Sequence, residues 1–217
     1  MKKTILIAFF LGCLTTFASA GVKVGVTLSG YELDAVGKES NGGGAADQSR
    51  SETIEGVTGS IFAEFSHDMM MGVAIGLDIV PYDIDMGAAE NRRIGDTLGN
   101  QNNQTGVNTV DVVMSEIRTA YILVPMPETG LYLKAGYSEA ELGITETILT
   151  GTSYPNADIN AWHLNIGYEA DVGPVFVRGE VGHSEWESVT VKSSSGRTSY
   201  TADLDGMSAR ISIGKAF

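Results

Sequence analysis

Three groups of side chains in this 217-residue sequence have the types from which a site could be built. His183, Ser184 and Glu185 are consecutive, and a histidine that takes a serine's proton while a carboxylate orients it is the machinery of nucleophilic hydrolysis. Eight charged residues, Glu64, Glu116, Arg118, Lys134, Glu169, Arg178, Glu180 and Arg210, sit within segments whose alternate positions are apolar. Glu39, Asp47, Glu52, Asp83 and Asp85 are carboxylates of the kind that hold divalent cations. Spacing decides among the three. Adjacent residues of a strand point to opposite faces, so His183 and Ser184 cannot easily meet. The carboxylates lack a spaced calcium-loop pattern and read as solvated loops. His67, His163 and His183 share no motif, and neither Walker A nor zinc-ligand spacing occurs. No catalytic residue, metal or cofactor is expected. The eight charges remain, four acids and four bases, and their meaning depends on the elements that carry them.

The first twenty residues carry none of these charges. Met1-Lys2-Lys3 is a positive start, Thr4 to Leu14 an apolar core, and Ala18-Ser19-Ala20 a small-residue end, the layout of a cleaved secretory signal peptide. The apolar run is far short of the ~20 residues a membrane helix needs. Phe10-Leu11-Gly12-Cys13 only loosely resembles a lipoprotein signal, so Cys13 is expected to leave with residues 1–20, and 21–217 to form a single cysteine-free domain. The chain has 14 basic and 27 acidic residues, and loss of Lys2 and Lys3 would take the formal charge from −13 to −15. Nucleic acid is thereby excluded as a partner, because phosphate binding needs a basic face. After residue 20 no apolar run is long enough to cross a bilayer as a helix.

What positions the charges is period-two alternation, repeated in eight segments. Val22, Val24, Val26 and Leu28 oppose Lys23, Gly25, Thr27 and Ser29. Val57, Ile61, Ala63 and Phe65 oppose Thr58, Ser60, Phe62 and Glu64. Met70 to about Ile84 puts Val73, Ile75, Leu77 and Ile79 against Ala74, Gly76 and Asp78. The fourth segment, Val110 to Val124, reads with Val113, Ile117, Thr119, Tyr121 and Leu123 opposite Glu116, Arg118 and Ala120. In the fifth, Leu131, Leu133, Ala135 and Tyr137 oppose Tyr132, Lys134 and Ser138, and the register breaks around Glu139 to Leu142 as at a bulge or a strand standing above a membrane. Trp162, Leu164, Ile166 and Tyr168 oppose His163, Asn165 and Glu169. Val175, Val177 and Val181 oppose Phe176, Arg178 and Glu180, and Met207, Ala209, Ile211, Ile213 and Phe217 oppose Ser208, Arg210 and Ser212.

Short links at His67-Asp68-Met69, Pro125 to Gly130 and Asp171 to Pro174 alternate with long ones, about Glu32 to Glu55 and Asp85 to Thr109. Alternating short and long links belong to an up-and-down barrel with short turns on one rim. In water the charged face would be the outside. In lipid the aliphatic row is outside and the charges fill the lumen. Phe65, Tyr121, Tyr168 and Phe217 fall near the ends of even-numbered segments, on one rim, as an aromatic girdle would. The expected fold is therefore all-β, an eight-stranded antiparallel up-and-down transmembrane β-barrel.

These features, with Phe217 ending an alternating Met207, Ala209, Ile211 and Ile213, resemble the small eight-stranded outer-membrane barrels of the OmpA transmembrane-domain, OmpX and opacity-protein type. The resemblance spans the whole chain after residue 20. Lys215 departs from it, since that outward position is usually apolar. The resemblance implies an outer-membrane location with periplasmic termini. It also makes Phe217 a signal to the barrel-assembly machinery, and outer-membrane lipid and lipopolysaccharide the surroundings. An eight-stranded interior is just wide enough for side chains to fill, so the charges are expected to pair as a plug. Function then falls to the extracellular loops, as surface interaction. A narrow porin-like channel is the second expectation and a lipid A-modifying enzyme the third.

Overall fold

The computed structural model describes residues 20–41, 48–67, 72–93, 106–147, 153–194, 196 and 198–217. The expected signal peptide, with Cys13, lies outside the described residues except for Ala20, as does Asp47. Among the described residues every regular element is a strand: β1 (Ala20–Asn41), β2 (Gln48–His67), β3 (Ala74–Ile79), β4 (Ile84–Arg93), β5 (Gly106–Pro125), β6 (Leu131–Thr147), β7 (Ala157–Val172), β8 (Val175–Trp186), β9 (Val189–Lys192) and β10 (Thr198–Ala216). β3 and β4 share one position beside β5, and β8 and β9 share one beside β10. β1 pairs with β10 from Lys23↔Ala216 to Asn41↔Thr198, closing an antiparallel ring of eight. Closure leaves no sheet edge at the join, which is what a β-structure in hydrocarbon requires.

The short turns at Pro125 to Gly130 and Asp171 to Pro174 are where the sequence puts them, while Asp68 and Met69 of the other expected short link lie outside the described residues. Gly130 and Gly173 have φ of 75° and 63°, a left-handed conformation that glycine adopts without steric cost. Met126 N–H donates to the Leu131 carbonyl at 2.7 Å, which tightens the β5–β6 turn. The long links differ from expectation. Most of Glu32 to Glu55 is strand, the outer reaches of β1 and β2, and β4 together with the start of β5 fills much of Asp85 to Thr109. Backbone pairing continues there without the alternation that marks it lower down.

The reason is a change of polarity that every part of the ring makes at the same level. On β1 the outward residues run Val24, Val26, Leu28 and then Glu32 and Asp34, while the inward ones run Lys23, Thr27, Ser29 and then Tyr31 and Leu33. On β7 they run Tyr168, Ile166, Leu164, Trp162 and then Asp158 outside, against Glu169, Asn165, His163 and then Ala161 and Ile159 inside. On β10 Ile213, Ile211 and Met207 give way to Asp205 and Asp203, and inward Arg210 to Leu204. Near the turns the barrel is apolar outside and charged inside. Beyond this level it is acidic outside and encloses a cluster of Leu33, Met86, Met114, Ala140, Leu142 and Ile159. One half is built for lipid and the other as a water-soluble barrel.

One expectation resolves to its second alternative and one needs correction. The break read at Glu139 to Leu142 is no bulge but this exchange of polarity in a strand that continues beyond the apolar belt, since β6 pairs with β7 in unbroken register from Leu131↔Tyr168 to Leu142↔Ala157. The irregularity lies across from it on β5, where the register shifts between Ser115 and Arg118 and Glu116 takes φ 53°. That bulge inverts the expected faces of the fourth segment: Tyr121 and Leu123 are buried, and Ile122 and Val124 are exposed. Ala120 to Val124 is apolar at every position except the tyrosine hydroxyl, so alternation there could not choose a face. Glu116 and Arg118, taken as the guide, stand on the bulge itself.

Candidate functional site: a charged layer across the lumen

A sequence that faces four acids and four bases into a narrow barrel must pair or hydrate them. The structure places six of the eight predicted residues, Glu64, Lys134, Glu169, Arg178, Glu180 and Arg210, inside the barrel and brings them together. Glu116 and Arg118 pair with each other, Arg118 Nη2 donating to Glu116 Oε2 at 2.9 Å, on an exposed part of the wall away from this layer. Their places are taken by Lys23 and Asp78, whose inward parity the alternation gives but which were not counted among the lumen charges. The layer still holds four acids and four bases.

Arg178 is its centre. Its Nη1 and Nη2 donate to the two carboxylate oxygens of Glu64 at 2.5 and 2.6 Å, and its Nε donates to Glu169 Oε2 at 2.6 Å. Lys23 Nζ donates to the other Glu169 oxygen at 2.5 Å. Glu64 also accepts the Tyr121 hydroxyl at 2.8 Å. On the neighbouring level Glu180 accepts Tyr132 at 2.9 Å and Lys134 at 2.6 Å. Arg210 donates to Asp78 and holds its Nε 3.7 Å from Glu180. Counting Tyr121 on β5, each of the eight ring positions supplies at least one member. The bonds Glu64–Arg178, Asp78–Arg210 and Lys23–Glu169 join strands that are not neighbours, so they cross the lumen.

Aromatic rings fill what the charges leave. The Arg178 guanidinium lies 4.7 Å from the Phe176 ring centre and 5.5 Å from those of Phe62 and Tyr132, distances at which a cation is attracted to a ring face. Glycine makes the room: a Cβ on Gly76 would run into the Tyr121 ring, and one on Gly167 into Tyr132. Glu64 is only 1% exposed and Arg178 3%. Charges this deep are held by multiple bonds of good geometry, because desolvation alone would expel them.

The layer divides the interior. Lys23, Glu64, Glu169 and Arg178 line a cavity of about 340 Å³ next to the turns. Asp78 and Arg210 line another of about 130 Å³ on the far side. No residue lines both, and Tyr121, Lys134 and Glu180 are packed between them.

The remaining predicted residues fall as follows. Phe65 and Phe217 flank Val22 on one rim, Phe65 as its strand partner and Phe217 through two backbone hydrogen bonds. Tyr168 and Phe217 are exposed. Tyr121 does not belong to this girdle, being buried in the charged layer. On the opposite border of the apolar belt, Tyr137 and Trp162 pack edge to face at 4.9 Å, a second aromatic position that the outward parity of both residues signalled. His183 is exposed while Ser184 is buried, and Ser184 donates to the Gly206 carbonyl at 3.5 Å. Asp85 accepts the N–H of Gly87 at 2.8 Å, as a turn-forming aspartate does. Among the described residues no group of three or more His, Cys, Asp or Glu could hold a metal ion.

At the level of sequence, neither a protein-family model nor a curated protein matches the chain. Solved structures do. The chain is similar to the outer membrane protein OprG from Pseudomonas aeruginosa, with 10% identity over 91% of this chain and 96% of that one and a TM-score of 0.50. Weaker likenesses are to the outer membrane protease OmpT from Escherichia coli, 9% identical over 91% and 97% with a TM-score of 0.47, and to Ail, the attachment invasion locus protein of Yersinia pestis, 10% identical over 90% and 98% with a TM-score of 0.36. The apolar belt, the closed ring of eight and the OprG likeness agree: in fold the chain is a small outer-membrane β-barrel.

Proposed function

We propose that the protein is an integral outer-membrane barrel whose lumen is shut by its charged layer, and that it works through the hairpins standing beyond the membrane, as a scaffold for contact with surfaces outside the cell. The observation that carries this reading is the layer itself: a neutral set of four acids and four bases, bonded across the lumen and packed with aromatic rings. A path for ions would have to break several of these bonds at once. In outer-membrane barrels the short turns face the periplasm and the longer connections the exterior. By that rule both termini are periplasmic and the acidic half of the barrel projects outward among lipopolysaccharide. In this reading Phe217, just after β10 on the turn-side rim, serves as the assembly signal.

Planar-bilayer recording tests closure. The purified barrel is expected to give no reproducible conductance steps. Regular openings that change with Glu180→Ala would overturn closure and favour the narrow channel. Orientation is tested with an epitope inserted between Asn41 and Gln48, which should bind antibody on intact cells; binding only after permeabilisation would refute it. The opposed directions of His183 and Ser184 give a lipid-modifying hydrolase no support, and lipid A mass spectra are expected to be the same with and without expression.

A further inference from the structure

Beyond the apolar belt the ladder around the barrel is interrupted. β2 pairs with β1 along its whole length, from Ala20↔His67 to Glu39↔Gln48, but with β3 only from Ile61↔Ile79 to Ser66↔Ala74. β4, which continues the place of β3 in the ring, pairs with β5 alone. Among the described residues, one edge of β2 from Ser49 to Ser60 and one edge of β4 therefore face a seam that no strand ladder crosses. A second interruption, between β9 and β7 with the link before it, is stitched by backbone bonds: Glu187 N–H donates to the Asn160 carbonyl at 2.8 Å and Ser194 N–H to the Ser153 carbonyl at 2.7 Å. At the first seam a side chain does this work. Gly59 N–H and the Thr58 hydroxyl both donate to the hydroxyl of Tyr82.

We infer that the β2 edge of this seam is a docking site for an extended segment of another protein, added as a strand. A residue of an antiparallel ladder turns its N–H and carbonyl to one side, and every second residue turns them the same way. The Gly59 bond fixes that direction, so Val57, Glu55, Thr53 and Ser51 present theirs to the seam as well. The Tyr82 hydroxyl stands where a neighbouring strand's carbonyl would accept. An unpaired row of this kind is a template for a further strand, and neither a proline nor a bulge against β1 blunts it. The flanks select the side chains of the partner. Glu55, Asp83 and Asp85 are exposed beside the seam, whereas Ile54, Ile84 and Met86 pack against the aliphatic cluster within. The added strand therefore alternates lysine or arginine outside with apolar residues inside. A second copy fits poorly, because a two-fold contact between barrels inserted the same way would set Glu55 against Glu55.

The inference rests on the reading of surface contact, but its test does not depend on orientation, because both rims are open in a nanodisc. The probe is a fluorescent octapeptide of alternating lysine and valine, added to the full barrel in zwitterionic nanodiscs. The comparisons are the same peptide N-methylated at alternate residues, on one edge or the other, and its glutamate–valine counterpart. Saturable binding of the lysine peptide is expected, with slowed amide exchange at Val57 and Glu55. N-methylation on the pairing edge should weaken it more than tenfold, since several backbone bonds go at once. Val57→Pro removes one N–H that faces the seam and none that faces β1, and should weaken binding roughly three- to tenfold. Glu55→Lys should turn the preference toward the glutamate peptide. Folding of each variant is checked by its heat-dependent mobility in SDS. No saturable binding, equal binding of both N-methylated peptides and the parent, or indifference to Val57→Pro in a folded barrel would overturn the proposal. So would a barrel dimer that Val57→Pro separates, since the edge would then belong to a second copy.

Discussion

Arg178 and Glu64 offer the sharpest test of how the charged layer is held. Replacing Glu64 by Met removes the carboxylate that accepts both Nη groups of Arg178 and the Tyr121 hydroxyl. Breaking a buried ion pair from one side costs about 3–5 kcal/mol, because the stranded charge stays buried. Here Glu169 keeps its hold on Arg178 Nε, so the low end applies, about 3 kcal/mol, or roughly a hundredfold in the folding equilibrium. Arg178→Met strands Glu64 with only Tyr121 and should cost about 4 kcal/mol on the same grounds. The double variant leaves no stranded charge, since Lys23 still meets Glu169 at 2.5 Å. Only the Tyr121 hydroxyl loses its acceptor, for about 1 kcal/mol. The pair should therefore be strongly non-additive, with the double variant more stable than either single one. Reversible urea unfolding in lipid vesicles, followed by tryptophan fluorescence, measures all four corners of the cycle. Additive losses would refute the reasoning, because they would mean that water enters the lumen freely enough to solvate either charge alone.

Two further contrasts follow from the same geometry. Tyr121→Phe should cost about 1–2 kcal/mol by leaving Glu64 short of a donor, whereas Tyr168→Phe, exposed on the rim, should stay within about 0.5 kcal/mol; equal effects in urea would return Tyr121 to the girdle. On β10, Ile211→Arg puts a charge on the apolar belt and should cost about 2–4 kcal/mol. Asp205→Arg, on the same face beyond the polarity change, should stay within about 0.5 kcal/mol, and a large loss there would misplace the boundary.

Alternation was legible wherever the two faces of a strand meet different solvents. The inward direction of six charges and the outward direction of Phe65, Tyr168 and Phe217 follow from parity alone, on strands such as β6 and β7 where Leu131, Leu133, Trp162 and Leu164 face one way without exception. Parity also gave Lys23 and Asp78 their direction. Each is the single charge on the inward face of its strand within the belt, among glycines, serines, threonines and alanines, so nothing along its own strand marks it as part of a charged layer. On β5 the pattern failed for a physical cause. A bulge shifts every later side chain to the other face, and the apolar run from Ala120 to Val124 carries no polar residue to betray the shift. Which inward charges meet across the lumen, Glu64 with Arg178 and Asp78 with Arg210, was not readable at all, since it depends on how non-neighbouring strands face each other in the closed ring.

The polarity change also explains why the outer strands looked like loops. A strand in lipid announces itself by an unbroken aliphatic row, but β1 from Glu32 to Asn41 and β2 from Gln48 to Glu55 meet water on their outer face. There Glu32, Asp34 and Glu55 are as acceptable as any residue. Their pairing is held by the backbone ladder, by side-chain bonds such as Thr53 to Asp34 at 2.7 Å, and by the apolar cluster they help enclose. Such a barrel needs two cores of different kinds, an ion-paired one inside the lipid belt and an aliphatic one beyond it.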